Sequence, residues 1–231
     1  MMHPEFSSII ITCEHAGNDV PKEYQSLFDG ADQILQSHCG WDPGAIEIAR
    51  LLASKRNSPL FHCDVTRLLI EANRSIDNTE LFSAYSKSLP DDIKEKIRQQ
   101  YYFPYRNSVE SFIQSLLKPV LHLSIHTFTP QLNNVERRTD IGLLFDPLRK
   151  LESECSAHLR EKLLPTLPSF QIDFNKPYAG IDDGFTTYLR AKFVDEDYAG
   201  IEIEINQKYF SEDNQEKISA SLNEALKKLL D

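Results

Sequence analysis

Short apolar runs recur along the chain between clusters of turn-forming residues, a pattern typical of buried β-strands. They predict strands at 8–13, 59–63, 67–72, 119–126, 140–145, 170–174 and 200–205. Helical spacing of apolar residues predicts helices at 43–54, 91–117, 147–164, 184–193 and 211–230. Pro104 lies inside the second of these helices and is expected to kink or break it, because proline lacks the N–H that the helix needs.

Strands that alternate with helices favour an α/β protein with helices on both faces of the sheet. The runs 59–63 and 67–72 are separated by only a short turn, which predicts an antiparallel hairpin and therefore a mixed sheet. The sequence has no Gly-x-Gly-x-x-Gly motif, so a dinucleotide-binding fold is disfavoured. No repeat or flexible linker divides the 231 residues, and we expect a single domain over 1–231.

The composition of the chain limits the kinds of partner that the protein is expected to bind. The net charge of -10, with no cluster of Lys and Arg to offset it, argues against nucleic-acid binding. The four cysteines form no Cys-x-x-Cys pair, which favours free thiols over a zinc ribbon or a disulfide framework. No apolar run approaches the ~18 residues of a membrane span, and the first residues do not resemble a signal peptide. We therefore expect a soluble, cytoplasmic protein without a membrane partner; its oligomeric state stays open.

Two histidines stand at the ends of predicted strands and carry the main chemical signal. His15 follows the first strand and precedes a turn with Gly17, Asn18 and Pro21, and His126 closes the strand at 119–126. The carboxyl ends of strands in an open α/β sheet form the usual ligand crevice. Imidazole is a good Zn²⁺ ligand, so the pair suggests one metal site, although a lone histidine at a strand end is more often structural.

A catalytic zinc needs a third protein ligand. Asp42 precedes a predicted helix, where its side chain could equally be an N-cap that accepts backbone N–H groups. The residues alone leave both roles open, with competing ligand candidates at Glu14, Asn18, Asp19 and His38.

The last predicted strand alternates isoleucine with polar residues, so Glu202, Glu204 and Asn206 share one face. A solvent-facing strand is one explanation. However, the strand lies between two predicted helices, where an α/β sheet is normally covered, and a buried carboxylate needs a partner such as a metal or a substrate.

Arginines near other strand ends could bind an anionic substrate, because a guanidinium matches a carboxylate bidentately. They are Arg67, Arg74, Arg137 and Arg138, and surface ion pairs are their default explanation. The segment 175–180, with Asn175 and Tyr178, is either a functional loop or a simple turn. The sequence contains no phosphate-loop, serine-elbow or His-Glu-x-x-His motif. This disfavours nucleotide hydrolysis, serine-esterase chemistry and the zinc proteases that carry their ligands on a helix.

Together these motifs resemble the N-formylglutamate amidohydrolase family, also known as N-formylglutamate deformylase, over nearly the whole chain. The matching pieces are EHAGNDVP (14–21), HCGWDPGA (38–45), RLLIEANR (67–74), HTFTP (126–130), RTDIG (138–142), NKPYAG (175–180) and EIN (204–206). Seven pieces in the family's order are more specific than any one of them.

The resemblance implies a zinc-carboxypeptidase-like (phosphorylase/hydrolase-like) fold: a three-layer α/β/α sandwich around a mixed, mostly parallel sheet. It also implies a metal-dependent amidohydrolase with one Zn²⁺ ion, acting on a small anionic N-acyl amino acid such as N-formylglutamate. His15 and His126 fall at the expected metal ligands, and Glu204 falls at the expected general base. Arg74, Arg138, Asn175 and Tyr178 are then expected to bind substrate.

Three positions depart from the expected patterns. Carboxypeptidases have a glutamate three residues after the first histidine, where this chain has Asn18, so Asp42 is expected to be the third ligand. Gln207 stands where many relatives have arginine, and Glu71 replaces a typical aspartate. Two alternatives remain: a zinc peptidase or cell-wall amidase on the same scaffold, and a non-catalytic ligand-binding homologue.

Overall fold

The computed structural model describes residues 4–229, along which strands and helices alternate. The strands are β1 (Ser8–Cys13), β2 (Leu60–His62), β3 (Val120–Phe128), β4 (Gln131–Leu132), β5 (Val135–Glu136), β6 (Ile141–Leu144), β7 (Ile172–Phe174) and β8 (Tyr198–Asn206). The α-helices are α1 (Asp32–Leu35), α2 (Ala45–Arg56), α3 (Asp91–Ile97), α4 (Phe103–Ser115), α5 (Lys150–Thr166), α6 (Phe185–Arg190) and α7 (Glu212–Leu226). Position 230, where the last predicted helix ends, lies outside the described residues.

Within the described chain, six strands form one sheet in the order β2-β1-β3-β8-β6-β7. The first four are mutually parallel, β6 runs antiparallel to β8, and β7 is parallel to β6. The predicted mixed, mostly parallel sheet is therefore confirmed.

Helices cover both faces of this sheet. On one face α2, α5 and α7 form the larger core, in which Leu52, Leu159 and Leu222 are fully buried. On the other face, Val109 of α4 and Leu189 of α6 belong to a second core with strand residues. The architecture is the expected three-layer α/β/α sandwich, because each face of the sheet buries its apolar side chains under helices.

The predicted hairpin is wrong. Residues 67–72 form turns instead of a strand, and β2 pairs parallel with β1. The apolar side chains of Leu69 and Ile70 are buried in a smaller core beside the sheet, so the run is apolar for a different reason. Thr66 holds the turn by donating its hydroxyl to the Gly40 carbonyl at 2.9 Å. The antiparallel pair that makes the sheet mixed is β6 with β8 instead.

The long predicted helix is interrupted as expected near Pro104. Between α3 and α4 the segment Arg98–Tyr102 forms a π-helical turn, and Pro104 lies in the first turn of α4. Proline lacks the backbone N–H of a regular helix, which is in line with the change in hydrogen-bonding pattern just before Pro104. Across residues 4–229, none of the helices is both long and apolar enough to cross a membrane.

Candidate active site

Two neighbouring strands bring the two candidate histidines together. Because β1 and β3 are parallel and adjacent, their carboxyl ends lie at the same edge of the sheet. The ring centroids of His15 and His126 are 5.0 Å apart, and both residues are buried. The backbone N–H of Asp42 donates to the His15 carbonyl at 3.0 Å, which places the loop before α2 beside them.

The Asp42 carboxylate faces both histidines. Its Oδ2 atom lies 3.2 Å from His15 Nδ1 and 2.9 Å from His126 Nδ1. One ligand atom from each of the three residues lies within 4.8 Å of the others, a spacing that could hold a metal ion. The helix α2 has Gly44 as its N-cap with no side-chain capping bond, so the Asp42 side chain does not cap it.

The other nitrogen of each ring contacts a glutamate. His15 Nε2 contacts the Glu71 carboxylate, and His126 Nε2 lies 3.0 Å from Glu14 Oε2. Glu14 was expected only as a competing ligand, and no role was expected for Glu71. No local signal links Glu71 to His15, because 56 residues separate them.

The balance of charge in this cluster fits a divalent cation. The carboxylates of Glu14, Asp42 and Glu71 are all buried. Arg67 contacts two of them, with Nη1 3.2 Å from Asp42 and Nη2 2.6 Å from Glu71. With neutral imidazoles, the three carboxylates and Arg67 together carry a net charge of about -2. Uncompensated buried charge is costly, so the donor set suits a divalent ion bound by His15, Asp42 and His126.

The neighbouring carboxylates raise the pKa values of both imidazoles against the effect of burial. Burial opposes ionisation of both histidines, yet the hydrogen bonds and charges of Asp42 and Glu14 raise the pKa of His126 well above its usual value. The pKa of His15 is also raised, because Glu71 and Asp42 outweigh burial and Arg67. Burial likewise opposes ionisation of Asp42, but the two histidines and Arg67 hold the pKa of its carboxyl well below the ordinary range.

Glu204 lies beside this cluster on β8. It is the register partner of His126 across the β3–β8 pair and is only 6% exposed. Burial and the nearby Asp42 and Glu202 carboxylates raise its pKa to about 7, against the opposing effect of His126. Its Oε2 atom is buried without a hydrogen-bond partner among residues 4–229. The polar face of β8 is thus a wall of the site rather than a solvent-facing surface.

A cavity of about 150 Å³ opens onto the cluster. It is lined by His15, Asp42, Arg67, Asn73, Arg74, His126, Thr127, Tyr178, Ala179, Asp182, Asp183, Glu202 and Glu204. The structure therefore brings the three candidate metal ligands and Glu204 together with Arg74 and Tyr178.

Two residues expected to bind substrate lie outside the cavity lining. Arg138 is exposed on the loop before β6. Asn175 has a positive φ of 51°, and its Oδ1 accepts the N–H groups of Phe145 and Gly180 at 3.0 and 2.9 Å. Its side chain shapes the loop that carries Tyr178.

Arg137 contacts a residue of the cavity lining, Tyr178. Its Nη1 atom donates to the Tyr178 hydroxyl at 3.0 Å, and its guanidinium lies 5.0 Å from the Tyr178 ring centroid and 5.6 Å from that of Phe128. The backbone at Arg137 is held by Asn206, whose Nδ2 donates to the Arg137 carbonyl at 3.2 Å. The sequence has two adjacent arginines, and their spacing does not show which one contacts Tyr178.

The remaining candidates for metal ligands have other contacts or are exposed. Asn18 donates its side-chain amide to the Leu35 carbonyl at 2.8 Å. Asp19 and His38 are exposed, and His38 contacts Cys39 instead of the buried cluster. All four cysteines are free, as expected.

The fold and site together define a class: an α/β/α protein with a buried histidine and carboxylate cluster at the carboxyl edge of its sheet. The sequence profile of the N-formylglutamate amidohydrolase family matches residues 7–211, and the chain belongs to this family. It is accordingly a hydrolase that acts on amide carbon–nitrogen bonds.

Solved structures agree on the fold. A gene product of Agrobacterium tumefaciens is 26% identical, with a TM-score of 0.80 over 96% of this chain and 90% of that one. An N-formylglutamate amidohydrolase from Ralstonia eutropha is 16% identical, with a TM-score of 0.61 over 99% of this chain and 96% of that one. Curated protein sequences give no significant match.

Proposed function

We propose that this protein is a zinc-dependent amidohydrolase that cleaves the acyl amide of a small N-formyl or N-acyl amino acid such as N-formylglutamate. The observation that carries the proposal is the convergence of His15, Asp42 and His126 beside the buried Glu204 carboxylate in one cavity. Family membership supports the reaction class. A ligand set of two imidazoles and one carboxylate is typical of catalytic zinc.

His15 and His126, through Nδ1, and Asp42, through its carboxylate, would hold the ion. The chemistry that the ion supplies when bound is polarisation of the acyl carbonyl and acidification of a water molecule. Glu204 acts as the general base: its carboxylate takes a proton from the water as the water oxygen adds to the acyl carbon. The same carboxyl then passes the proton to the amine nitrogen as the carbon–nitrogen bond breaks. The products are a carboxylic acid and an amino acid.

Arg74 is proposed to bind a carboxylate of the substrate or the developing oxyanion. Its Nη1 donates to the Asp183 carbonyl, and within residues 4–229 it has no carboxylate within 4.0 Å. By contrast, Arg67 is already paired with Asp42 and Glu71. Arg74 thus keeps a charge available at the cavity wall. Tyr178, in the loop 175–180, is the other residue of the proposed binding surface.

The size of the cavity favours this function over a peptidase or cell-wall amidase. Its volume of about 150 Å³ is below the ~300 to 1,000 Å³ of pockets that bind drug-sized ligands. A small amino-acid derivative suits that space better than a polymer. A non-catalytic role is disfavoured because the proposed ligands and Glu204 are all present and buried together.

A hydrolysis screen tests the proposal. Purified protein would be assayed with zinc against N-formyl, N-acetyl and longer N-acyl amino acids, a C-terminal peptide substrate and a muramoyl peptide. We expect release of free amino acid from the short acyl derivatives, with acidic amino acids preferred. Turnover of the peptide or muramoyl substrate alone would support the alternative, and no turnover of any substrate would contradict the proposal.

A further inference from the structure

Glu14 is a buried carboxylate directly behind His126. It is 1% exposed, and its Oε2 atom lies 3.0 Å from His126 Nε2. The Nδ1 atom of the same ring contacts Asp42. Glu14 and Asp42 therefore contact different nitrogens of one ring. Glu14 leaves free the Nδ1 atom, through which the ring would bind the metal ion.

Two hydroxyl groups from different elements hold Glu14 in place. Ser124 of β3 donates to Oε2 at 2.5 Å, and Tyr105 of α4 donates to Oε1 at 2.8 Å. In the described chain no Lys or Arg nitrogen lies within 4.0 Å of this carboxylate. A buried ion pair of this kind adds little net stability, since desolvation offsets much of the attraction. The hydrogen bonds from Ser124 and Tyr105 instead define the position of the carboxylate against the ring.

His15 has the same arrangement. Its Nε2 contacts Glu71, which is held by Arg67 Nε at 2.7 Å and by the backbone N–H of Asn73 at 3.1 Å. Both rings thus present Nδ1 to Asp42 and Nε2 to a glutamate. A carboxylate on the outer nitrogen of a ligating histidine sets its tautomer and orientation and strengthens its basicity.

We propose that Glu14 and Glu71 are positioning residues that hold His126 and His15 with Nδ1 toward the cavity, and so set the affinity of the site for its metal ion. This inference rests on the proposed function only in requiring that the site binds metal. It goes beyond that function by assigning roles to Glu14, Glu71, Ser124 and Tyr105.

The test measures metal affinity without substrate. Metal-free protein and its variants would compete for Zn²⁺ with a chromophoric chelator, and their Co²⁺ forms would be compared by visible absorption. We expect Glu14→Gln to bind Zn²⁺ about 10- to 100-fold more weakly, with altered cobalt bands. Tyr105→Phe should move both measurements in the same direction by less. Tyr188→Phe is the matched control, because its hydroxyl donates to Glu110 at 2.7 Å outside the cluster.

The outcomes separate the two proposals. If the parent protein binds Zn²⁺ but Glu14→Gln matches its affinity and cobalt spectrum, the positioning role is wrong and the proposed function stands. If the parent protein binds no Zn²⁺, both fail. Thermal unfolding of the metal-free forms checks that the variants are folded. Should Glu14→Gln not fold, Tyr105→Phe decides: an affinity equal to that of Tyr188→Phe would overturn the inference.

Discussion

His126 and Glu204 are register partners on the adjacent parallel strands β3 and β8. Paired positions in a sheet project their side chains to the same face, so the imidazole and the carboxylate meet at the edge of the cavity. This relationship places a candidate ligand and a candidate base on rigid elements. Gly142 is the partner of Glu204 on the other side. A Cβ at that position would lie 1.9 Å from the Lys176 carbonyl oxygen, so the close approach of this loop requires glycine.

The first prediction concerns the general base. Glu204→Gln should retain metal and fold but lose ~10²- to 10⁴-fold in turnover, because glutamine cannot accept the proton. Glu202→Gln is the matched control. Glu202 also lines the cavity, but it already accepts the Thr186 hydroxyl. A larger loss in Glu202→Gln than in Glu204→Gln, measured as kcat at saturating substrate, would transfer the role to Glu202.

The second prediction concerns the ligands. His15→Ala, Asp42→Ala and His126→Ala should each lose bound metal in elemental analysis, because each removes one of three converging donors. His38→Ala, which alters an exposed histidine, should keep the metal content of the parent protein. Full metal occupancy in the Asp42 variant would show that this carboxylate is not a ligand.

The third prediction compares Arg137 with Arg138. Since Arg137 contacts Tyr178 at the cavity wall and Arg138 is exposed, Arg137→Ala should raise the Michaelis constant for an acidic substrate. Loss of a hydrogen bond to a charged group costs ~1.5 to 3 kcal/mol, or about 10- to 100-fold. Arg138→Ala should have little effect. Equal Michaelis constants in the two variants would remove Arg137 from substrate binding.

The fourth prediction concerns Arg74 itself. Arg74→Ala should weaken binding of an acidic substrate by a similar ~10- to 100-fold, because it removes a guanidinium of the cavity wall that has no carboxylate partner within residues 4–229. An N-acyl amide that has no carboxylate provides the control substrate, and its kcat/KM should change much less. A loss of the same size for both substrates would indicate a role in oxyanion binding or in the structure of the loop.

The fifth prediction is a pH dependence of stability. His122 is buried between Thr12 Oγ1 and the Tyr198 hydroxyl, both at 2.7 Å. Burial lowers its pKa from 6.5 to about 4, so the unfolded chain binds a proton at a pH where the folded chain does not. The stabilisation is therefore present above pH 6.5 and is lost as the pH falls toward 4.

Urea unfolding of the parent protein and His122→Gln at several pH values measures this effect. Between pH 6.5 and about pH 5, the parent protein should lose roughly 1.5 kcal/mol of unfolding free energy relative to the variant. A stability difference between the two that does not change over this range would show that His122 does not titrate with a lowered pKa.

Some features of the fold and site follow from local sequence patterns, and others depend on contacts between residues far apart in the chain. Period-two alternation and strand-end position are local, and they placed His15 just after β1 and predicted the polar face of β8. His126 was expected to close its strand but lies two residues before the end of β3. The segment 67–72 was misassigned because an apolar run cannot distinguish a strand from turns packed in the smaller core beside the sheet.

Site details that depend on tertiary contacts could not be predicted from one sequence. Whether Asp42 caps a helix or faces two histidines is decided by the distance between β1, β3 and the loop before α2. The contacts of Glu14 with Tyr105 and of Glu71 with His15 join positions 91 and 56 residues apart. The choice between Arg137 and Arg138 depends on how the loop enters β6.

The most direct test of the central claim is formate release from N-formyl-L-glutamate by one protein sample in three states: as purified, after removal of metal by a chelator, and after addition of one equivalent of Zn²⁺. Activity should disappear with the metal and return with the added ion, and Glu204→Gln should stay at its low activity after the same reloading. Undiminished formate release by fully metal-free protein would contradict the central claim.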